Sequence, residues 1–321
     1  MSVSTTLVIG GTGKTGRRVA ERLAARNVPV RIGSRSAAQP FDWEDPATWP
    51  GAVQNVAAAY ITYFPDLAAT GATDAIQSFT EVAVNGGVRR FVLLSGRGEP
   101  EAQCCEQIVR DSGVEWTVVR ASWFAQNFSE SYLLDPIVAG EVALPAGNVG
   151  EPFVDADDIA DVAVAALTDD RHSGNLYEVT GPRLWTFPDA IAEIGRAVGR
   201  DIRYIPISHE AYAAALTDAH VPPDLVTLIS YLFTEVLDGR NASVTDGVTR
   251  ALGPCASRLR RLRARDRGDW RLEPRVIGSC RGARHASVRG RALLPARPSQ
   301  EARQLKVDCL TLKFLPEAFS L

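Results

Sequence analysis

Along the first 120 residues, short apolar runs alternate with stretches that are apolar on one side only. The runs at 6–9, 28–32, 57–63, 90–95 and 116–120 have the length and flanks of buried strands. Between the first two, residues 14–26 set Val19 and Leu23 four apart on one face, which predicts a helix with Asn27 as its stop. Residues 73–85, closing on Gly86 and Gly87, and residues 101–112, closing on Gly113, predict two more helices. Strands alternating with helices of this length predict an α/β fold: a doubly wound, Rossmann-like parallel sheet buried on both faces.

Beyond residue 122 the pattern loosens. Residues 152–167 read as a short strand and then a helix, capped by Asp155, with Asp158 three later as in a capping box. Residues 175–182 predict a strand, and 185–199 a helix with Thr186 as cap and Gly199 as stop. Residues 202–208 predict one more short strand. The expected organisation is a dinucleotide-binding core over 1–130, then sheet completion and a small substrate lobe over 131–253. A tail over 254–321, with "RLRRLRARDR", keeps no period and is expected to be disordered.

Charge sharpens that last boundary. The net charge is −3, but residues 1–253 carry −13 and residues 254–321 carry +10. Arginine outnumbers lysine 32 to 3, and Lys14 is the only lysine before the tail. Such usage suggests a GC-rich genome. An arginine-rich arm could bind nucleic acid, but sequence foreign to the fold is the preferred reading. No apolar run reaches the roughly 18 residues of a membrane span, and the start lacks a secretory layout, so a cytoplasmic protein without a membrane partner is expected. Five cysteines, with Cys104 and Cys105 adjacent and Cys255, Cys280 and Cys309 scattered, show no metal-ligand spacing and read as reduced thiols.

The chemistry is concentrated in "VIGGTGKTG", residues 8–16. A phosphate-wrapping G-x-x-x-x-G-K-[ST] loop would need glycine where Val8 stands, inside the strand. The dinucleotide alternative fits better. Gly10 permits the tight turn, Gly13 the approach of a pyrophosphate, and Gly16 close packing of helix on sheet. The anion then faces free N–H groups at a positive helix end. The second strand ends "RIGSRS", without the acid that reads a ribose 2′-hydroxyl. Arg35 instead offers a planar fork for a 2′-phosphate, with Ser34 beside it. NADP(H) is therefore expected over NAD(H). Asp42 and Trp43 are candidates to bracket the adenine.

These pieces, with "FDWEDPATW", "RFVLLSG", "WTVVRASWFAQNF", "PFVDADDIADVAVAAL" and "LYEVTGP", resemble the NmrA-like, atypical short-chain dehydrogenase/reductase family over residues 5–253. The likeness is strongest to bacterial relatives of ergot-alkaloid-type reductases and NADPH quinone reductases. It implies a Rossmann fold with NADPH in an extended cleft. It also implies that Gly10, Thr12, Gly13, Lys14 and Thr15 hold the phosphates and that Arg35 takes the 2′-phosphate. Tyr63, Phe64 and Pro65 would border the cofactor, and Ser95 and Gly96 would lie beneath the nicotinamide. Trp123, Phe124 and Asn127 would flank the nicotinamide and a small-molecule substrate, with Ser95 and Asn127 as catalytic candidates.

One departure is informative. Ordinary short-chain dehydrogenases lower a tyrosine's pKa with the lysine of Tyr-x-x-x-Lys. Here Lys14 is already in the glycine loop, so that pair is impossible. The expectation is an NADPH-dependent reductase of an electron-poor molecule, a quinone, enone or iminium, in secondary metabolism. The alternative is a non-catalytic NADP sensor that binds a protein partner. The family's usual ending, a helix and Gly-x-Trp, is missing. Permitted codons for residues 254–273, read one base over, spell "RAPRDFADYARATAATGVW", so the tail reads as frame-shifted.

Overall fold

The computed structural model describes residues 5–253. The frame-shifted, disordered tail expected over 254–321, with Cys255, Cys280 and Cys309, lies outside the described residues.

Strand β1 (Thr5–Ile9) feeds helix α1 (Lys14–Ala24), and β2 (Val30–Gly33) follows. Then come α2 (Trp49–Val53), β3 (Val56–Ile61), α3 (Ala72–Asn85), β4 (Arg90–Gly96), α4 (Pro100–Arg110) and β5 (Glu115–Ala121). The later chain adds α5 (Leu134–Ala139), β6 (Glu141–Leu144), α6 (Ala156–Thr168), β7 (Asn175–Val179), α7 (Phe187–Val198) and β8 (Arg203–Pro206). Three helices close it: α8 (His209–Asp218), α9 (Pro223–Tyr231) and α10 (Gly247–Leu252).

Six strands form one parallel sheet in the order β2-β1-β3-β4-β5-β7. The order reverses direction between β1 and β3. In an open parallel sheet, that switch point opens a crevice beyond the strands' carboxyl ends. Alternate residues serve opposite faces. Val8, Tyr60, Val92 and Val119 pack under α1 and α6, while Leu7, Ala59, Phe91 and Leu93 pack under α2, α3 and α4. Val19 and Leu23 of α1 are fully buried, each contributing about 1.5–3 kcal/mol by leaving water. Arg22 ties α1 to α6 through Asp157 and Asp161 at 2.5 and 2.6 Å.

A third core, built around Phe128, Phe153 and Phe187, lies apart from the main sheet and includes the small parallel pair β6–β8. Phe187 stands edge-on to Phe153 and Trp123, the geometry that aromatic quadrupoles favour.

Boundaries differ from the sequence pattern where turns compete with helix. Helix α1 ends at Ala24, because Asn27 takes the left-handed conformation (φ 58°) that leads into β2. Asp155 does cap α6, but by accepting from the Asp157 N–H rather than from Asp158. Residues 152–154 form no strand, only an isolated bridge between Val154 and Phe124. Thr186 caps α7 and Gly199 ends it in the left-handed region, as the pattern predicts. Among the described residues no helix is long and apolar enough to cross a membrane.

Candidate active site

The glycine turn follows directly from β1. Gly10 has φ +65°, and the Gly13 N–H closes the turn on the Gly10 carbonyl at 2.8 Å. A Cβ at Gly16 would lie 2.1 Å from that same carbonyl oxygen, so only glycine lets α1 sit on the turn. The N-cap, Gly13, has no side chain, and the first turn of α1 holds no acid. The N–H groups of Lys14, Thr15 and Gly16 are therefore uncapped at a positive helix end, a cradle for an anion. These residues fit a dinucleotide pyrophosphate. Thr12 is exposed beside the turn, whereas Thr15 is fully buried.

Beyond β2, Ser34 is half-buried and lines a shallow hollow with Arg31, Ile32 and Gln39 among others, while Arg35 is exposed and not on its wall. Arg31 is held by the carbonyls of Ala52 and Gln54. Arg35 makes no hydrogen bond or ion pair among the described residues, so its fork is free to meet a phosphate. Trp43, expected to bracket the adenine, is half-buried beside the β3 end. Its Nε1 donates to the Thr62 carbonyl at 3.0 Å, and its ring packs against Phe41, Trp49, Tyr63 and Phe79. Asp42 turns the adjoining loop: its carbonyl accepts from Trp49 Nε1 and its side chain from the Glu44 N–H.

A cavity opens at the carboxyl ends of β3, β4 and β5. It gathers Lys14, Tyr63, Pro65, Ser95, Gly96, Trp123, Phe124 and Asn127 from four separate segments of chain. Phe64 is not on its wall and is 40% exposed. The far wall is apolar: Leu225, Leu228 and Ile229 from α9, then Leu232 and Phe233 from a π-helical turn, Leu232–Val236. Lys14 reaches the cavity with Nζ 3.2 Å from Asn127 Oδ1. Burial lowers its pKa to about 8, against the opposing pull of Glu130. Ser95 is buried, and its hydroxyl donates to Glu106 Oε1 at 2.7 Å. Glu106 also takes two bonds from Arg120, at 2.8 and 2.5 Å.

Four polar residues escape the sequence reading. Asp66 and Glu99, 3% and 6% exposed, sit on the cavity wall with their carboxyls hydrogen-bonded to each other. Glu151, 1% exposed, accepts from the Trp123 N–H at 3.2 Å. Burial pushes its carboxyl up to about 7, although that N–H and the charge of Arg97 pull it down. Arg97, just past β4, donates from Nη1 to the carbonyls of Asn241 and Ser243, both at 2.8 Å. The one signal for Asp66, Arg97 and Glu99 was position, since all three follow strands at the ligand-binding end of a parallel sheet.

The chain is similar to known NAD(P)H-binding proteins. A family profile described as NAD(P)H-binding matches residues 10–170. An NAD(P)H azoreductase from Xenophilus azovorans is 30% identical over 77% of this chain and 92% of its own length. An agroclavine dehydrogenase from Claviceps fusiformis is 32% identical over 68% of this chain and 82% of its own. Among solved structures, an NADPH-dependent quinone oxidoreductase from Escherichia coli superposes with a TM-score of 0.63 at 21% identity, covering 79% of this chain and 99% of that one.

Proposed function

The chain belongs to the NAD(P)H-binding, NmrA-like family of atypical short-chain dehydrogenases/reductases and is an NAD(P)H-dependent oxidoreductase. From that premise we propose that it reduces an electron-poor small molecule, a quinone, enone or iminium, and does so without a Tyr/Lys acid pair. The observation that carries this reading is the cavity. It brings the lysine of the glycine turn together with Ser95, Asn127 and the aromatic side chains of Trp123 and Phe124.

Bound NADPH would supply the hydride. The chain's own residues bind and orient. The uncapped N–H groups of 14–16 hold the pyrophosphate, and Arg35 with Ser34 takes the 2′-phosphate, which favours NADPH over NADH. Lys14, fixed by Asn127, adds a positive charge between turn and cavity. Trp123, Phe124 and the α9 wall exclude water and grip a flat apolar substrate. The sequence contains no Tyr-x-x-x-Lys, and the only lysine of the described chain is bonded to Asn127. The Ser95 proton points at Glu106, so Ser95 is better placed to accept a hydrogen bond from the substrate than to donate one. Such a site suits acceptors that take hydride readily.

The test is NADPH oxidation across a panel of quinones, enones and cyclic iminium ions. Turnover with at least one class is expected. Cofactor binding with no turnover on any of them would overturn the reading and favour a cofactor sensor with a protein partner.

A further inference from the structure

The acid pair on the cavity wall has no part in cofactor binding as derived above. Asp66 follows β3 and Glu99 follows β4, so the two loops meet at the sheet's carboxyl edge. The carboxyl of Glu99 lies over the end of β4: a Cβ at Gly96 would stand 2.2 Å from both of its oxygens. Gly96 is thus a glycine that makes room for a carboxyl. No N–H or O–H donor reaches Glu99 Oε2, which is fully buried. Asp66 is satisfied on one side by the Ala68 N–H, 2.8 Å from Oδ1.

Two carboxylates in contact, both nearly out of water, cannot both be ionised. The cations nearby are committed elsewhere: Arg240, which reaches the Gly98 carbonyl at 3.4 Å, is paired with Asp238 and Glu235. From α4, Glu101 and Glu106 add negative charge. From α9, Tyr231 donates to Glu101. Arg97, in the same loop, is engaged by Asn241, Ser243 and Glu178. Lys14 is bonded to Asn127, and the remaining titratable groups on the wall are Tyr63 and Tyr132. Burial, and then the neighbouring Asp66, drives the Glu99 carboxyl well above its ordinary range, while Asp66 accepts the bond.

We propose that Asp66 and Glu99 share one proton and that Glu99 delivers it to the substrate, which makes Glu99 the acid that replaces the missing tyrosine. The step rests on the reductase reading above. With an enone, hydride from NADPH forms a C–H bond at the β-carbon and the π electrons move to oxygen. The Glu99 O–H bond breaks, its proton goes to the resulting enolate, and water later returns a proton to the pair. The substrate gains two electrons and NADPH loses them. A quinone takes its first proton in the same way. An iminium becomes a neutral amine on receiving hydride and needs no proton.

Glu99→Gln keeps the shape and removes the proton. General acid catalysis contributes about 10²–10⁴-fold, so the ratio of enone to iminium turnover should fall at least about 100-fold in this variant. In cofactor-free protein carrying Glu151→Gln, which removes the other buried carboxyl that titrates near neutral pH, the infrared carbonyl stretch of a protonated carboxyl should persist at neutral pH and vanish when Glu99→Gln is added. Asp66→Asn removes the anionic partner, so that signal should titrate away at lower pH than with Asp66 in place. An unchanged ratio, or a Glu151→Gln spectrum with every carboxyl ionised at neutral pH, overturns the proposal. Wild-type protein that binds NADPH but reduces no substrate class overturns the reductase reading and the delivery step together, and the infrared titration then still decides whether the proton is shared.

Discussion

Lys14 Nζ lies 3.2 Å from Asn127 Oδ1, which joins the first residue of α1 to the turn after β5 across 113 positions of sequence. The lysine expected to serve only a phosphate is thus also part of the cavity wall. Its neighbours explain its lowered pKa: it is 7% exposed and has a neutral amide, not a carboxylate, as its direct partner.

This pairing makes cofactor affinity pH-dependent. In the free protein Lys14 loses its proton as the pH rises through about 8. A pyrophosphate favours the charged amine, so binding above that pH must take up a proton. Affinity for NADPH should fall as pH rises from 8 towards 10, with proton uptake visible by calorimetry in buffers of different ionisation heat. In Lys14→Gln, affinity at pH 7 should be about tenfold or more weaker, as for loss of a charge-assisted bond, and the slope above pH 8 should flatten.

Arg35 has no partner among the described residues and stands at the end of β2 beside Ser34. Replacing it with alanine should cost NADPH about 1.5–3 kcal/mol, roughly 10- to 150-fold in dissociation constant. NADH, which lacks the 2′-phosphate, should change by about twofold or less. Titrations with both cofactors check this, and equal losses for the two would remove Arg35 from the 2′-phosphate site.

Glu151 gives a stability signature. Its folded pKa of about 7 lies above the ordinary 4.5, so the protonated form is the one the fold favours. Its contribution is fully present below about pH 4.5 and is lost as pH rises towards 7. Glu151→Gln cannot ionise and retains an oxygen for the Trp123 N–H. It should match wild type near pH 5 and exceed it by about 1–3 kcal/mol at pH 8. Urea unfolding at the two pH values measures the difference, and a variant less stable at pH 8 would contradict it.

The glycine turn, the strands of the main sheet and most of its helices were legible because each has a local cause. Val8, Leu7 and their counterparts are apolar in runs, Gly10 takes a left-handed turn, Gly16 packs on the carbonyl of Gly10 six residues away, and Thr186 and Gly199 act on their own helix. What escaped depends on distant chain. β6 has four residues and exists because it pairs with β8, the short strand that 202–208 did predict. Helices α8 and α9 are short, and α9 shows its purpose only when Leu228 and Ile229 meet a cavity built from β3, β4 and β5. Asp66 and Glu99 look like ordinary loop acids in sequence. Only the fold shows that they are buried and touching. The packing partners of Trp43, from Phe41 to Phe79, were equally invisible in the sequence.

Arg97 has a consequence for the integrity of the whole molecule. Its guanidinium reaches 144 positions along the chain to the Asn241 carbonyl, and the Asn241 amide returns a bond to the Arg97 carbonyl at 2.9 Å. The loop after β4, on the cavity rim, is therefore tied to the segment that leads into α10, and a change that frees residues 241–243 would leave Arg97 Nη1 without its two carbonyl partners beside Glu99.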